Sequence, residues 1–169
     1  MARDGYARMS VDAVAREAGV SKPTLYLRYP SKATLATAAL AHARERTAPR
    51  DTGDTRADLI ATLRHFRTGV ERPFGMALVG TALAEEHHTP ELLAQFRANL
   101  VEPRRRMLRS SLERARARGE LAHDADLETA VNALVGSYYA SYLAGSRVPR
   151  NWPERAVELV LRGLLSDKD

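Results

Sequence analysis

Apolar residues recur along this chain at the spacing of amphipathic helices, and no stretch shows the sustained apolar–polar alternation of a half-buried strand. The clearest pattern lies at residues 10–32, SVDAVAREAGVSKPTLYLRYPSK. Val11, Val14 and Ala18 fall there on one side of a helix, and Asp12 falls on the opposite side with the other charged residues. The pattern predicts an all-α protein.

The residues between the first two helices are those of a tight turn. Ser10 and Ser21 are predicted to cap these helices, because a serine hydroxyl accepts a hydrogen bond from a first-turn N–H that otherwise lacks a partner. Gly19 should end the first helix in a left-handed conformation, and Pro23 falls in the first turn of the second helix, where its missing N–H costs little. Val20 is expected to be buried inside the turn. This order predicts a helix–turn–helix, whose second helix normally enters the major groove.

A polar break divides the chain into two predicted domains. Pro30 should end the second helix, and Ser31 should cap an alanine-rich third helix that continues to about residue 46. Residues 47–54 (TAPRDTGD) are polar and contain proline and glycine. We therefore expect a helix–turn–helix domain with its connecting helix at 1–46 and a second helical domain at 54–169.

Five helices are predicted in the second domain. Their expected ranges are 55–70, 74–87, 90–118, 125–144 and 153–165. Asp54 and Thr89 are the expected caps of the first and third of these helices. Pro103 should kink or break the long third helix near Val101, because proline cannot donate the helical hydrogen bond.

Charge and composition narrow the function classes. The 169-residue chain has a net charge of +5, and residues 1–46 hold eight Lys or Arg against four Asp or Glu. A basic first domain is what binding to DNA phosphates requires. The absence of cysteine excludes disulfides and thiolate metal sites. With no apolar leader or membrane-length apolar run, we expect a cytoplasmic protein.

The string GVSKPTLYLRYPSKATL at residues 19–35 is more specific than a general helix–turn–helix. It resembles the tetracycline-repressor-like family (TetR/AcrR type) of bacterial transcription regulators. The positions that carry the resemblance are Gly5, Tyr6, Val11, Val14, Ala15, Ala18, Gly19, Val20, Thr24, Leu25, Tyr26, Tyr29, Pro30, Ser31, Lys32 and Leu35. The resemblance implies a DNA-binding head, a C-terminal domain for ligand binding and dimerisation, and a homodimer on a palindromic operator. We expect a ligand-responsive repressor.

The surface that would read DNA is predicted on the second helix, on the side away from Leu25 and Tyr29. An arginine at position 28 could pair with guanine, and a threonine at position 24 could meet a thymine methyl or a phosphate. The resemblance adds two residues that grip the DNA backbone, Tyr26 and Lys32. The complete set of expected DNA-binding residues is Ser10, Ser21, Lys22, Thr24, Tyr26, Leu27, Arg28 and Lys32. Two alternatives stay open, namely that Tyr26 is a core aromatic residue and that Arg28 is a solvated charge.

An effector pocket in the second domain is implied by the resemblance. Aromatic walls with a few polar groups suit such a pocket. The expected ligand-binding residues are Phe66, Phe74, Met76, His87, Phe96, Met107, Tyr138 and Tyr142, with Tyr139 and Trp152 as further aromatic candidates. The open alternative is that these side chains only fill the core. The identity of the effector cannot be deduced from the sequence.

The last two helices are the expected dimer interface. The earlier of them carries small residues that allow close approach of another helix: Ala130, Ala133, Gly136, Ser137, Ala140 and Ala144. In the family such a pair meets its twofold mate as a four-helix bundle, and a C2 dimer covers apolar surface that a monomer would expose.

The start of the chain is short for this family. Only four residues precede Gly5, so we expect most of the family's first head helix to be missing from this sequence. Its loss would remove a packing partner from the inner faces of Val11 and Leu25 and leave the head marginally stable. The alternative function is therefore a helical ligand-binding or scaffold dimer that has lost DNA binding.

Enzymatic and metal-dependent functions have little support in the sequence. Two Glu-x-x-His strings, at 85–88 and 120–123, are the spacing used by di-iron helical bundles. The second follows the helix-ending Gly119, so its side chains need not share a face. The basic run at 104–106 is interpreted as a solvated helix face rather than a nucleic-acid patch. We expect no enzyme, no metal site and no cofactor.

Overall fold

A computed structural model describes residues 9–45, 52–72 and 75–164, with the backbone alone for 39–45. Every regular element in these ranges is helical, which confirms the all-α prediction. The helices are α1 (Val11–Glu17), α2 (Lys22–Arg28), α3 (Lys32–Glu45), α4 (Thr55–Glu71), α5 (Gly75–Ala84), α6 (Pro90–Phe96), α7 (Glu102–Ala117), α8 (Leu127–Leu143) and α9 (Trp152–Leu164), with a π-helical segment at Arg97–Val101. Among the described helices, none combines the length and apolar character needed to cross a membrane.

Contacts between residues divide the chain into two compact units. The first, here called the head unit, comprises residues 1–47 and 68–103, and the second, the body unit, comprises residues 48–67 and 104–169. Each unit therefore draws on two separate parts of the sequence, and α4 contributes residues to both.

The head unit contains the predicted helix–turn–helix. Hydroxyl oxygens of Ser10, Ser21 and Ser31 accept hydrogen bonds from backbone N–H groups three residues on, at 3.2, 3.2 and 3.1 Å. Gly19 has the left-handed φ of 66° that ends α1. One apolar cluster joins the three helices: Met9, Val11, Ala15, Leu25, Leu35 and Ala36, with Val14 and Tyr29 packed against it. The predicted serine caps and the predicted end of the first helix at Gly19 are confirmed.

The prediction for Val20 is wrong. Its side chain is 40% exposed rather than buried in the turn. Val20 donates its N–H to the carbonyl oxygen of Ala15 at 3.0 Å, so the turn is closed by the backbone. The apolar cluster of the three helices is completed without the valine side chain.

A second side of α3 is buried against α6 and the π-helical segment that follows it. Ala33 joins a cluster with Ala82, Leu92 and Leu93, and Phe96 packs against that cluster. Small residues on α3 allow this approach, because a larger side chain would hold the helices further apart.

The predicted long helix 90–118 is interrupted where Pro103 requires it. Residues 90–96 and 102–117 are α-helical, and the residues between them form a π-helical segment. Proline has no N–H to donate one turn back, and the wider π-turn is one way in which a helix accommodates such a loss. The predicted break near Val101 is confirmed.

The cap predicted at Thr89 is wrong. Thr89 precedes α6, but its side chain makes no capping hydrogen bond. Its hydroxyl donates instead to the carboxylate of Glu85 at 2.9 Å, and this bond competes with the capping geometry. The predicted cap at Asp54 is confirmed, since its carboxylate accepts from the N–H of Ala57 at 2.9 Å.

The body unit is built from α7, α8, α9 and the first part of α4. Fully buried side chains come from all four helices and include Leu59, Leu63, Phe66, Leu108, Leu112, Val131, Leu134 and Val157. Asp126 caps α8 by accepting from the N–H of Thr129 at 3.0 Å, which places the start of that helix two residues later than expected. The N–H of Ala122 donates to the carbonyl oxygen of Leu164 at 2.9 Å and ties the end of α9 to the segment before α8.

Gly75, at the start of α5, provides a test of close backbone packing. A Cβ atom there would lie 2.5 Å from the carbonyl oxygen of Val70 and also too close to that of Gly69. We expect Gly75→Ala to lower the free energy of unfolding by about 1–3 kcal/mol, because backbone atoms must move to admit the methyl group. Chemical denaturation followed by circular dichroism measures the change.

Gly80→Ala is the matched control on the same helix, since a Cβ at Gly80 meets no atom within 4 Å. We expect it to leave stability unchanged or to raise it by up to about 1 kcal/mol, because alanine has the higher helix propensity. Equal effects of the two substitutions would contradict the close contact at Gly75.

Candidate nucleic-acid interface

Helix α2 presents one face to the core and the other to solvent. Leu25 is buried in the cluster of the three helices, and Tyr29 is half-buried against it. The side chains on the remaining positions, from Lys22 to Arg28, are exposed. The predicted reading residues of α2 are therefore brought to one accessible surface.

The ammonium group of Lys22 is held by a residue of the preceding helix. Its Nζ lies 3.0 Å from a carboxylate oxygen of Asp12, and both side chains are exposed. The hydrogen bond to this carboxylate, together with its negative charge, raises the pKa of Lys22 above the usual value. Sequence reasoning missed Asp12, because no local pattern links residues ten positions apart across a turn.

The N-terminus of α2 is ordered by a pair of hydroxyl groups. Ser21 accepts from the N–H of Thr24 at 3.2 Å, and the two hydroxyl oxygens lie 2.7 Å apart. Both residues are exposed, so the same groups that cap the helix face the solvent.

The C-terminal half of α2 combines an aliphatic, an aromatic and a cationic side chain. Leu27 is 87% exposed, and Tyr26 is exposed as well, which removes the alternative that Tyr26 is a core aromatic residue. The guanidinium carbon of Arg28 lies 5.8 Å from the centroid of the Tyr29 ring. Cation–π attraction of this kind restrains the arginine without neutralising it.

Two further predicted residues lie at the starts of neighbouring helices. Ser10 precedes α1 and is exposed, and Lys32 is the first residue of α3 and is half-buried. All eight predicted DNA-binding residues thus lie in α1, α2 or α3 or at the caps of these helices.

The residues predicted for an effector are divided between the two units. Phe66 and Tyr138 meet edge-on in the body unit, with ring centroids 5.2 Å apart. Tyr139 and Trp152 complete an aromatic cluster around them, at 5.6 and 5.9 Å from Phe66. The body unit also contains the half-buried Met107 and the exposed Tyr142. The head unit contains the half-buried Met76 and Phe96 and the exposed His87. Phe74 lies outside the described residues.

The interpretation of residues 104–106 as a solvated face is wrong for Arg104. Its side chain is 7% exposed, and its guanidinium carbon lies 4.3 Å from the centroid of the Phe66 ring. Arg105 is also held against the body unit, with hydrogen bonds to Glu128 at 2.8 Å and Asn132 at 2.7 Å. A signal for burial was present, because Arg104 stands four residues before the buried Leu108 on the same helical stripe.

A groove of about 710 Å³ opens on the body unit beside α9. Its lining comprises five charged side chains of both signs, two serines and four apolar residues: Arg56, Ser137, Ser141, Pro149, Trp152, Glu154, Arg155, Ala156, Glu158, Leu159 and Arg162. Trp152 is held at its edge by donating its indole N–H to the hydroxyl of Ser137 at 2.9 Å. None of the seven described residues predicted for the effector is among the residues that line this groove.

The two Glu-x-x-His strings lie at the ends of helices. His88 donates its backbone N–H to the carbonyl oxygen of Glu85 in a turn after α5. The carboxylate of Glu120 accepts hydrogen bonds from Arg118 and, at 3.1 Å, from Thr55, and these bonds, chiefly that from Arg118, lower the pKa of Glu120. Within residues 9–45, 52–72 and 75–164, no three His, Asp or Glu side chains are arranged to hold a metal ion.

Comparison with known proteins identifies relatives for both parts of the chain. Residues 1–39 match the model of bacterial regulatory proteins of the tetR family, and residues 49–160 match that of the tetracyclin repressor-like C-terminal domain. The DNA-binding transcriptional repressor TetR of Mycobacteroides abscessus is 38% identical over 126 residues, which cover 73% of this chain and 66% of that protein.

Solved structures give the same result for the fold. The TetR family transcription regulator SCO0332 is 33% identical with a TM-score of 0.80, and the match covers 96% of this chain and 91% of that one. The flavonoid-responsive regulator FrrA is 26% identical with a TM-score of 0.68, over 99% of this chain and 92% of that one.

The cap at Ser21 provides a test of how the candidate interface is held. We expect Ser21→Ala to destabilise α2 locally by about 1 kcal/mol, because the N–H of Thr24 loses its acceptor. Amide hydrogen exchange resolved to residues 22–28 should become faster. Ser146→Ala, in the segment between α8 and α9, is the matched control and should leave that exchange unchanged; an equal effect would argue against the cap.

Proposed function

The chain belongs to the tetracycline-repressor family of DNA-binding transcription regulators, and from this premise we propose that it is a ligand-responsive repressor that binds a palindromic operator as a homodimer. The observation that carries the proposal is the outward face of α2. That face is exposed from Lys22 to Arg28 and stands on a helix that is capped at its start and anchored by Leu25.

Operator binding is supported by the chemistry of this face. A seven-residue helix with a hydroxyl pair and a lysine at its start and an arginine at its end offers contacts to both base edges and phosphates. Lys32, at the start of the next helix, is the expected backbone contact. Affinity from such contacts depends on salt, because each neutralised phosphate releases condensed counterions.

Dimerisation through α8 and α9 is supported by what these helices expose. Leu143 is 81% exposed and Leu159 is 75% exposed, and the groove beside α9 is continuous with Leu159. Ala133 and Ala140 add small exposed positions on α8 that allow another helix to approach closely. A twofold mate would cover these leucines and would place two copies of α2 on the two half-sites of a palindrome.

Ligand responsiveness is supported by the contacts of α3. This helix packs on the helix–turn–helix with one side and on α6 and the π-helical segment with another. The amide of Asn99, in that segment, donates to the buried hydroxyl of Thr37 at 3.4 Å. A ligand that favours one arrangement of these helices would change operator affinity, and DNA would change ligand affinity by the same factor. The name of FrrA describes that relative as flavonoid-responsive.

The test of operator binding is fluorescence anisotropy with duplex DNA from the region upstream of the gene, over a series of salt concentrations. We expect salt-steep binding that prefers this DNA to a shuffled duplex. Lys32→Ala should weaken binding to all sequences alike and reduce the slope of log K against log salt by about one for each half-site.

Arg150→Ala, an exposed arginine of the body unit, is the matched control and should leave the slope unchanged. Absence of preferential binding by a folded dimer to any duplex, including members of a random-sequence library, would contradict the proposal. That result would favour a ligand-binding or scaffold dimer without DNA binding.

The dimer interface is tested by charge insertion. We expect Leu143→Arg combined with Leu159→Arg to produce monomers, because two guanidinium groups would be desolvated at the interface. Sedimentation velocity gives the oligomeric state. Leu83→Arg, at a 56% exposed leucine of α5, should remain dimeric; a double variant that also remains dimeric would place the interface elsewhere.

A further inference from the structure

The centre of the outward face of α2 is apolar. With about 100° between successive residues of a helix, Leu27 lies about 200° from the buried Leu25 and so points almost directly outward. Pro23, one turn earlier, shares this direction and is exposed. Thr24 and Arg28 fall to one side of this line and Lys22 to the other. The side chain that projects furthest from the middle of the candidate reading face is therefore an 87% exposed leucine.

Three of the polar residues that flank Leu27 already make contacts within the head unit. Lys22 is paired with Asp12 at 3.0 Å, and the hydroxyl of Thr24 lies 2.7 Å from that of Ser21. Arg28 is placed over the ring of Tyr29. These contacts hold the side chains at the edges of the face in place. The side chain at the centre of the face, which would contact the bases, is the aliphatic Leu27.

Only one feature of the base edges in the major groove suits an aliphatic contact. Guanine, cytosine and adenine present hydrogen-bond donors and acceptors there, whereas thymine also presents its C5-methyl group. We propose that Leu27 recognises a thymine methyl group in each operator half-site and is the residue that fixes thymine at that position. This inference rests on the proposed function and adds a chemical rule for the operator sequence.

The surroundings of Leu27 favour DNA over an apolar protein partner. Arg28 adjoins it, and Lys32 begins the next helix, so the rim of the face is basic. Leu27 and Pro23 form a narrow apolar strip inside this basic rim, and such a strip matches a methyl group between two phosphate backbones. A protein-docking patch would normally contain several neighbouring apolar side chains.

The test begins with selection of binding duplexes from a random-sequence library by the full chain. Each thymine of the selected half-site is then replaced in turn by deoxyuridine, which removes only the methyl group. We expect one position per half-site at which the replacement weakens binding about fourfold, and about fifteenfold when both half-sites are changed. The salt slope should not change, because no phosphate contact is lost.

A double-mutant cycle then assigns the methyl contact to Leu27. Leu27→Ala should bind the thymine and deoxyuridine duplexes equally, whereas Leu83→Ala, the matched control on α5, should retain the full discrimination. At the same position, 5-methylcytosine should bind more tightly than cytosine to the unmodified protein and equally to Leu27→Ala. Circular dichroism verifies that the variants are folded, as expected for a change at so exposed a residue.

The outcomes separate this inference from the proposed function. Failure to select any sequence from the library would overturn operator binding and the inference with it. Selection of a defined sequence with no deoxyuridine-sensitive position would overturn the inference and leave operator binding in place. Equal sensitivity to deoxyuridine in the unmodified protein and in Leu27→Ala would also overturn it, because the methyl group would then act through DNA shape or another residue.

Discussion

The burial of α3 on two sides is the constraint on which the head unit depends. Leu35 and Ala36 complete the apolar cluster of the helix–turn–helix, while Ala33 belongs to a second cluster with residues of α5 and α6. Thr37 is fully buried as well, and its hydroxyl donates to the carbonyl oxygen of Ala33 at 2.9 Å within the same helix. A helix held on two sides by such small residues cannot shift against one neighbour without disturbing the other, since interiors are close-packed.

Features encoded by neighbouring residues could be predicted from the sequence. The serine caps at 10, 21 and 31, the left-handed turn at Gly19 and the break before Pro103 each depend on one or two residues and on the geometry of a helix end. The exposed face of α2 followed in the same way, because the position of Leu25 on the helix decides which residues point outward. The fold class and the candidate DNA-binding surface were accessible for this reason.

Features that depend on distant residues could not be predicted. The exposure of Val20 is decided by how other helices complete the cluster, and the burial of Arg104 by the ring of Phe66 from another helix. The hydroxyl of Thr89 could either accept a hydrogen bond from a backbone N–H of α6 or donate one to Glu85, and the sequence does not indicate which of the two forms. The aromatic residues predicted for an effector illustrate the same difficulty, since Phe66 and Tyr138 stabilise the core by edge-on packing whether or not a ligand contacts them.

The ion pair between Asp12 and Lys22 shows how affinity and specificity can be separated on one helix. A phosphate that approaches Lys22 must compete with a carboxylate 3.0 Å away, so the pair limits what this lysine can add to DNA affinity. Because both side chains are exposed, the pair restrains α2 relative to α1 only weakly, but it lowers the attraction of this helix for DNA of any sequence. Leu27 carries no charge and adds little to non-specific binding, but an apolar contact can distinguish thymine from the other bases. In such a recognition helix, the basic rim would therefore provide the overall affinity for DNA phosphates, and the exposed leucine at the apolar centre would provide the discrimination between bases.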